Sequence, residues 1–183
     1  MPTYIALLRA VNVGGTGKLP MATLRKMLEE LGYRNVETYI QSGNAVFDAS
    51  CSASSVAKAL TSALEKHMSA PVGVLIRTQA EFSKIIAANP FAGEAAADGA
   101  RVHVGFLSTR PPKNAPEGLN RLITQYPARR DRWHLSGTSL YLHLPDGAGE
   151  TKFTVKALER ILGCAGTARN WNTVVKLHEM SRR

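Results

Sequence analysis

Residues 40–47 read Ile40-Gln41-Ser42-Gly43-Asn44-Ala45-Val46-Phe47, which places apolar residues on both sides of a Ser-Gly turn. A glycine in such a turn supplies the positive φ that a tight hairpin needs, so the stretch predicts two antiparallel strands. A second stretch of the same kind runs from His134 to Tyr141, and its turn glycine, Gly137, lies 94 positions after Gly43. The helical patterns around the two turns repeat with the same offset. The sequence therefore predicts one layout present twice, as an internal duplication.

The first copy is predicted to run strand, helix, strand, strand, helix, strand. Thr3 to Arg9 is a short apolar run typical of a buried strand. Apolar residues at spacings of three and four then form one face of a helix over 21–31. The hairpin follows, with predicted strands at 36–41 and 44–47 and a two-residue turn between them. A second amphipathic helix is predicted at 56–64 and a fourth strand at 72–77. This order of short elements is typical of a ferredoxin-like sheet backed by two helices.

The second copy is predicted from residue 101 onward and begins with a strand at 102–107. It has the same order of elements and a further C-terminal helix that begins near Asn170. Between the copies, Thr78 to Glu81 form a capping box that opens a linking helix. Residues 91–100 are rich in Ala, Gly and Asp and predict a linker loop. The predicted fold class is α+β, with two tandem ferredoxin-like (βαββαβ) subdomains. Their predicted bounds are 1–77 and 101–183, joined by 78–100.

Basic residues are concentrated in the second half of the chain. The formal net charge is +9. Met1 to Ala100 contain nine Lys or Arg and eight Asp or Glu, whereas Arg101 to Arg183 contain fourteen and six. This asymmetry favours an anionic partner for the second half, either a nucleic acid or a phosphorylated ligand. The alternative is a basic surface with no specific partner.

Several functional classes are disfavoured. No apolar run approaches the ~20 residues that span a bilayer, and the first residues lack the pattern of a signal peptide. Cys51 and Cys164 have no metal-like spacing and are expected to be reduced thiols of a cytoplasmic protein. The histidines form no ligand pair, and no nucleophile elbow occurs. The sequence predicts no metal, no cofactor and no particular oligomeric state.

The first candidate site is the glycine-rich stretch from Arg9 to Lys18, between a strand and a helix. Backbone N–H groups of such a loop can face a phosphate, and the candidate side-chain contacts are Arg9, Asn12 and Lys18. The stretch is not a P-loop, because Asn12 and Leu19 stand where that motif needs Gly and Ser or Thr. The residues favour the alternative of a tight strand-to-helix turn.

The second and third candidate sites are rich in amides. Gln41 and Asn44 flank the turn glycine, where they could bind a base edge or a peptide group, or simply close the turn. In the third, Asn170 is a good N-cap. Arg169 and Asn172 add a cation and an amide at the positive end of a helix, which suits a carboxylate or a phosphate.

The fourth candidate is one face of the second predicted hairpin, which carries two arginines, two histidines and a tyrosine. The residues of this face are Arg130, Arg132, His134, Ser139, Tyr141 and His143. Such a face could stack bases and contact phosphates. The alternatives are an ordinary solvated face or a face buried against the first copy.

Four segments resemble a bacterial family known only as domain of unknown function 1697. They run over Leu7–Gly15, Met21–Leu24, Tyr39–Phe47 and Thr167–Val174. One departure is Ala10, where the family pattern has glycine. The resemblance implies a compact α/β protein with two ferredoxin-like subdomains, and it implies no reaction, cofactor or catalytic residue.

Three functional hypotheses follow. The first is a binding protein for a phosphate-bearing ligand, with nucleic acid the leading candidate. The second is an enzyme that acts on a small nucleotide or acyl substrate in a cleft between the copies, by positioning and charge stabilisation. The third is a structural or oligomer-forming module whose polar motifs only cap helices and close turns.

Overall fold

The computed structural model describes residues 1–12, 18–127 and 129–182. The glycine-rich centre of the first candidate site, residues 13–17, lies outside these described residues. The chain forms two compact units. Unit 1 comprises Met1–Lys84 with Lys176–Arg183, and unit 2 comprises Ile85–Val175. Each unit contains one four-stranded antiparallel sheet, so the chain is an α+β protein.

Sheet 1 has the strand order β2-β3-β1-β4. The elements of this part are β1 (Thr3–Arg9), α1 (Met21–Glu30), β2 (Arg34–Tyr39), β3 (Asn44–Asp48), α2 (Ala53–Met68) and β4 (Gly73–Thr78). Helix α2 begins because the Ser52 hydroxyl accepts a hydrogen bond from the Ser55 N–H. The apolar faces of the two helices form the core of unit 1 together with one face of the sheet, including Leu8 and Phe47.

Helix α3 (Gln79–Ala87) follows β4 and begins with the predicted capping box. The Glu81 carboxylate accepts from the Thr78 N–H at 2.7 Å, and the Thr78 hydroxyl accepts from the Glu81 N–H at 3.2 Å. Residues 92–97 were expected to belong to a linker loop, but they form helix α4 (Ala92–Ala97), followed by a 3-10 turn over Gly99–Arg101. Burial of Phe91 and Ala95 stabilises this short helix, which composition alone does not reveal.

Sheet 2 has the strand order β6-β7-β5-β8. Its elements are β5 (Val102–Leu107), α5 (Ala115–Thr124), β6 (Arg132–Ser136), β7 (Ser139–His143), α6 (Val155–Leu162) and β8 (Gly166–Asn170), after which α7 (Trp171–Ser181) follows. Gly163 ends α6 in the left-handed conformation, with φ +63°. Asn170 caps α7, as predicted, since its side-chain oxygen accepts from the Thr173 N–H at 3.0 Å.

The central strands of both sheets are buried on both faces. In sheet 1, Leu8 belongs to the core beneath the helices, and its neighbour Leu7, which points to the opposite face, is also buried. In sheet 2, Leu142 belongs to the core beneath the helices, and its neighbour Tyr141, which points to the opposite face, is also buried. A base can stack only on an exposed aromatic face, so neither sheet offers the open platform that RNA-recognition sheets use.

Candidate functional site

Three separate pieces of chain meet at the end of β1 in unit 1. The Asn12 side-chain amide donates to the Leu19 carbonyl oxygen and to the Gln41 carbonyl oxygen, each at 2.8 Å. The Asn12 side-chain oxygen accepts from the Leu19 N–H at 2.7 Å. One side chain thus joins the entrance of the glycine-rich loop to its exit and to the hairpin turn. We call residues 10–12, 18–19 and 40–43 the Asn12 corner.

The backbone of the Asn12 corner is held in unusual conformations. Ala10, Asn12 and Ile40 have φ values of 55°, 56° and 48°, in the left-handed region that residues other than glycine rarely adopt. Such conformations cost of order 1–3 kcal/mol each and tend to cluster at ligand clamps and active sites. Surrounding contacts must therefore stabilise this part of the chain.

Gly43 explains how the hairpin turn can lie so close to β1. Its φ is +80°, as the turn required. Its carbonyl oxygen accepts from the Leu8 N–H at 2.8 Å. A Cβ at this position would lie 2.5 Å from Val11 Cγ2 and 2.8 Å from Leu8 Cβ. The glycine is therefore required by both backbone conformation and space.

The loop of this hairpin is longer than predicted. Tyr39 pairs with Asn44, so four residues connect the strands, and Gln41 lies in the turn and not on β2. The expectation that Gln41 belongs to a strand was wrong. The second hairpin has a two-residue turn, because Ser136 pairs with Ser139.

Some of the predicted site residues of unit 1 are buried or half-buried and hold the backbone, and others have exposed side chains. Asn44 is fully buried, and its amide donates to the Tyr39 carbonyl at 2.9 Å and to Ser42 Oγ at 3.0 Å, which closes the turn. Arg9 is half-buried at the end of β1, where it pairs with Gly73 of β4. Lys18 and Gln41 have exposed side chains. Ala10 and Ile40 of the Asn12 corner are exposed as well, so Lys18 and Gln41 are its exposed polar side chains.

The two predicted site residues of unit 2 lie around the junction of β8 and α7. Arg169 is 8% exposed, and its Nη1 donates to Thr167 Oγ1 and to the Ala168 carbonyl, each at 2.8 Å. Burial lowers the pKa of Arg169 to about 10, which leaves the guanidinium protonated at neutral pH. Asn172 is exposed in the first turn of α7, and its side-chain oxygen lies against Gly99.

The polar face of the second hairpin is largely engaged within unit 2. The Tyr141 hydroxyl donates to the Ile85 carbonyl at 2.9 Å, and burial raises the pKa of Tyr141 to about 12. The Arg132 guanidinium lies 5.0 Å from the centre of the Phe91 ring and forms an ion pair with Glu94. The hydrogen bond from Arg132 lowers the pKa of Glu94. These contacts favour a structural role for this face over base stacking.

One polar pair was not anticipated from the sequence. Ser83 Oγ lies 2.9 Å from His178 Nε2 and also 3.2 Å from the Gln79 carbonyl oxygen. Burial is the main reason that the pKa of His178 is lowered. Because Ser83 lies within helix α3 and its hydroxyl is shared with the preceding turn, we interpret the pair as a polar contact between α3 and α7. A separation of 95 residues left no local signal for it.

Among residues 1–12, 18–127 and 129–182, no group of three or more His, Cys, Asp or Glu side chains is placed to hold a metal ion. Over the same residues, none of the helices has the length and apolar character needed to cross a membrane.

Fold and site together define an α+β protein with two four-stranded antiparallel sheets and an asparagine-tied corner in unit 1. The chain belongs to the family described as "Protein of unknown function (DUF1697)", whose model matches residues 1–141. No curated protein matches it.

Among solved structures, the chain is similar to a conserved bacterial protein, SP0830, from Streptococcus pneumoniae. The identity is 23% over 99% of both chains, with a TM-score of 0.72. This likeness shows a shared fold. A second match, an unknown protein from Galdieria sulphuraria, has 10% identity over 92% of this chain and 98% of the other, and its TM-score of 0.27 is too low to support a shared fold.

Proposed function

We propose that the protein binds a phosphate-bearing ligand at the Asn12 corner. The observation that carries this proposal is the set of three hydrogen bonds by which Asn12 fixes the exit of the glycine-rich loop against the hairpin turn. Lys18 is exposed directly before Leu19, so a cation stands beside this fixed backbone. Backbone that is already held at Leu19 and Gln41 loses little conformational entropy when an anion binds beside it, which favours affinity.

Each predicted residue has a distinct role in this proposal. Lys18 and Gln41 contact the ligand, because their side chains are exposed. Asn12, Asn44 and Arg9 hold the backbone that presents them. In unit 2, Arg169 and Asn172 offer a cation and an amide that could bind an anion independently.

The class of ligand follows from charge and burial. Counted over the structural units, unit 1 carries twelve Lys or Arg and seven Asp or Glu, and unit 2 carries eleven and seven. Both units are therefore basic, which favours anions at either one. The buried sheets argue against base stacking, so we propose that a nucleic acid, if it is the ligand, is held through its phosphates.

The test is a titration with fluorescein-labelled single-stranded RNA and, separately, with pyrophosphate, at several salt concentrations. Binding should weaken as salt rises, and Lys18→Gln should lower the magnitude of the log–log slope for RNA by about 0.7. Lys58→Gln is the matched control, since Lys58 is an exposed lysine on α2 of the same unit. Equal effects of the two variants, or no binding of either probe at low salt, would overturn the proposal.

We also propose that each unit is ferredoxin-like and that the chain arose by duplication. Numbered within its own unit, each sheet has the strand order 2-3-1-4, which supports this view. Two turn glycines with positive φ, Gly43 and Gly137, occupy matching hairpins. A cytoplasmic location accords with the free thiols of Cys51 and Cys164.

A further inference from the structure

Unit 2 contains an apolar cleft of about 60 Å³ between helix α6 and strands β5 and β8. Most of the side chains that form its walls are aliphatic. They include Leu107, Leu140, Leu158 and Leu162, with Gly105 and Ala168 at the floor. Val155, at the start of α6, also lines the cleft and is 61% exposed, so the cleft is open to solvent on that side.

The equivalent position in unit 1 is filled. The strand registers identify the matching residues. Leu7 pairs with the first residue of β3, and Phe106 pairs with the first residue of β7, so the residues before them, Ala6 and Gly105, correspond. On the edge strands, Ala6 pairs with Ile76, whereas Gly105 pairs with Ala168. Unit 2 thus lacks a methyl group and most of an isoleucine side chain at this place.

The helix that packs on the sheet also fills less space in unit 2 than in unit 1. Helix α2 of unit 1 has 16 residues, and Leu60 and Leu64 on it are fully buried in the core that contains Ile76. Helix α6 of unit 2 has 8 residues, and Leu158 on it is only partly buried. Smaller residues below and a shorter helix above together leave the cleft open. Two independent changes at one place argue against a single accidental packing gap.

The size of the cleft selects a chain over a ring. An apolar cavity of ~150 Å³ is known to bind benzene, and this cleft has less than half that volume. A linear aliphatic segment fits a narrower space. Each buried CH₂ group contributes roughly 0.8 kcal/mol, so a segment of a few carbons gains measurable affinity.

Charge selects an uncharged ligand. The Glu159 side chain lines the cleft, and a carboxylate there disfavours an anionic head group. Lys156 and Arg160 are exposed on the same helix, so charges of both signs lie near the cleft, and the rest of its lining is uncharged. A charged head group placed there would lose hydration without a dedicated partner. We propose that the cleft binds a short, unbranched, uncharged aliphatic chain, such as the acyl or alkyl part of a larger molecule. This proposal is independent of the Asn12 corner, which belongs to unit 1.

The first experiment is a titration of the full chain with butyramide, followed by amide chemical shifts in β8 and α6. Benzamide tests the size limit, and butyrate and butylammonium test the charge limit. Butyramide should shift these amides, and the other three should bind at least about tenfold more weakly. Failure of butyramide to bind, or equal binding of benzamide, would overturn the proposal.

Two variants restore the residues that unit 1 has at the matching positions. Gly105→Ala places its methyl 3.4 Å from Leu140 Cβ, an ordinary contact, so the fold should tolerate it. Ala168→Ile changes an exposed residue of an edge strand. Both should weaken butyramide at least about tenfold, while Ala96→Ile, an exposed change on α4, should not. Unchanged butyramide binding by Gly105→Ala and Ala168→Ile would contradict the proposal that the ligand occupies this cleft.

The cysteines provide a second readout. Cys164 lines the cleft and Cys51 lies in unit 1, and both are partly buried free thiols. Butyramide should slow the alkylation of Cys164 by iodoacetamide without slowing that of Cys51. Equal rates with and without butyramide, or equal protection of both thiols, would count against a ligand in the cleft.

Discussion

The Asn12 side chain donates a hydrogen bond to the Gln41 carbonyl oxygen at 2.8 Å, although 29 residues separate them along the chain. Asn12 also has a φ of 56°, a conformation that asparagine tolerates better than most residues. The same side chain satisfies both the N–H and the carbonyl of Leu19. This residue is therefore the structural centre of the corner that we propose as a ligand site.

Replacement of Asn12 should destabilise unit 1. Asn12→Ala removes three hydrogen bonds and places at positive φ an alanine, which tolerates that conformation less well than asparagine, so we expect a loss of about 1–3 kcal/mol in the free energy of unfolding. Denaturant titration measures it. Asn120→Ala, an exposed change on α5, is the control and should stay within about 0.5 kcal/mol of the parent. Equal stabilities for both variants would show that the Asn12 hydrogen bonds contribute nothing.

The two turn glycines should differ in their response to alanine. Gly137→Ala meets no atom within 4 Å, so its cost is the left-handed backbone alone, about 1–2 kcal/mol. Gly43→Ala adds a clash with Val11 and Leu8, which should cost about 1–3 kcal/mol more. Thermal melts of the two variants compare them directly. A Gly43 variant no less stable than the Gly137 variant would be inconsistent with the close approach.

Arg169→Ala should reduce stability, because the guanidinium is buried and donates to Thr167 and Ala168. We expect a loss of about 1–3 kcal/mol in the free energy of unfolding. The control is Arg121→Ala on the exposed face of α5, with a change near zero. If instead the Arg169 variant melts like the parent but loses pyrophosphate binding, the side chain acts mainly on a ligand.

Stability should fall as the pH drops below neutral, in part through His103. Burial lowers the pKa of His103 below the ordinary 6.5 that it has in the unfolded chain. Between the two pKa values the unfolded state binds more protons, so acid favours unfolding there. The destabilisation due to His103 is absent well above pH 6.5 and grows as the pH falls through that value towards the pKa of the folded state.

The measurement is the free energy of unfolding of the parent and of His103→Gln between about pH 5 and pH 7.5. The free energy of unfolding of the variant should depend less steeply on pH. The dependence that remains comes from other histidines whose pKa is also lowered by burial, such as His143 and His178. Identical pH profiles would mean that His103 does not titrate differently in the two states.

Much of the secondary structure could be read from local pattern. Strands β1 and β5 have the predicted bounds, and the capping box at Thr78 and the N-cap at Asn170 are confirmed by their hydrogen bonds. These features depend on residues within one turn or one strand, so their cause is present in a short window of sequence.

Features that depend on strand pairing or on burial could not be predicted from a local sequence pattern. The loop of the first hairpin has four residues because β2 pairs with β3 from Tyr39 onward, and strand register is set by contacts across the sheet. Helix α4 was missed because burial of Phe91 and Ala95 stabilises it, and composition does not report burial. The ties from Asn12 to Leu19 and Gln41 likewise need the tertiary structure to bring them together.

The charge distribution shows most clearly how the amino-acid sequence and the folded chain differ in what they reveal. The amino-acid sequence alone determined a net charge of +9, the repeated hairpins and the polar residues beside their turns. The apparent concentration of charge in the second half disappears in three dimensions, where unit 1 has a net charge of +5 and unit 2 of +4. The reason is that the C-terminal segment Lys176–Arg183 belongs with unit 1, while Glu94 and Asp98 belong with unit 2. Electrostatic potential depends on distances in space, so only the folded chain decides where an anion is attracted.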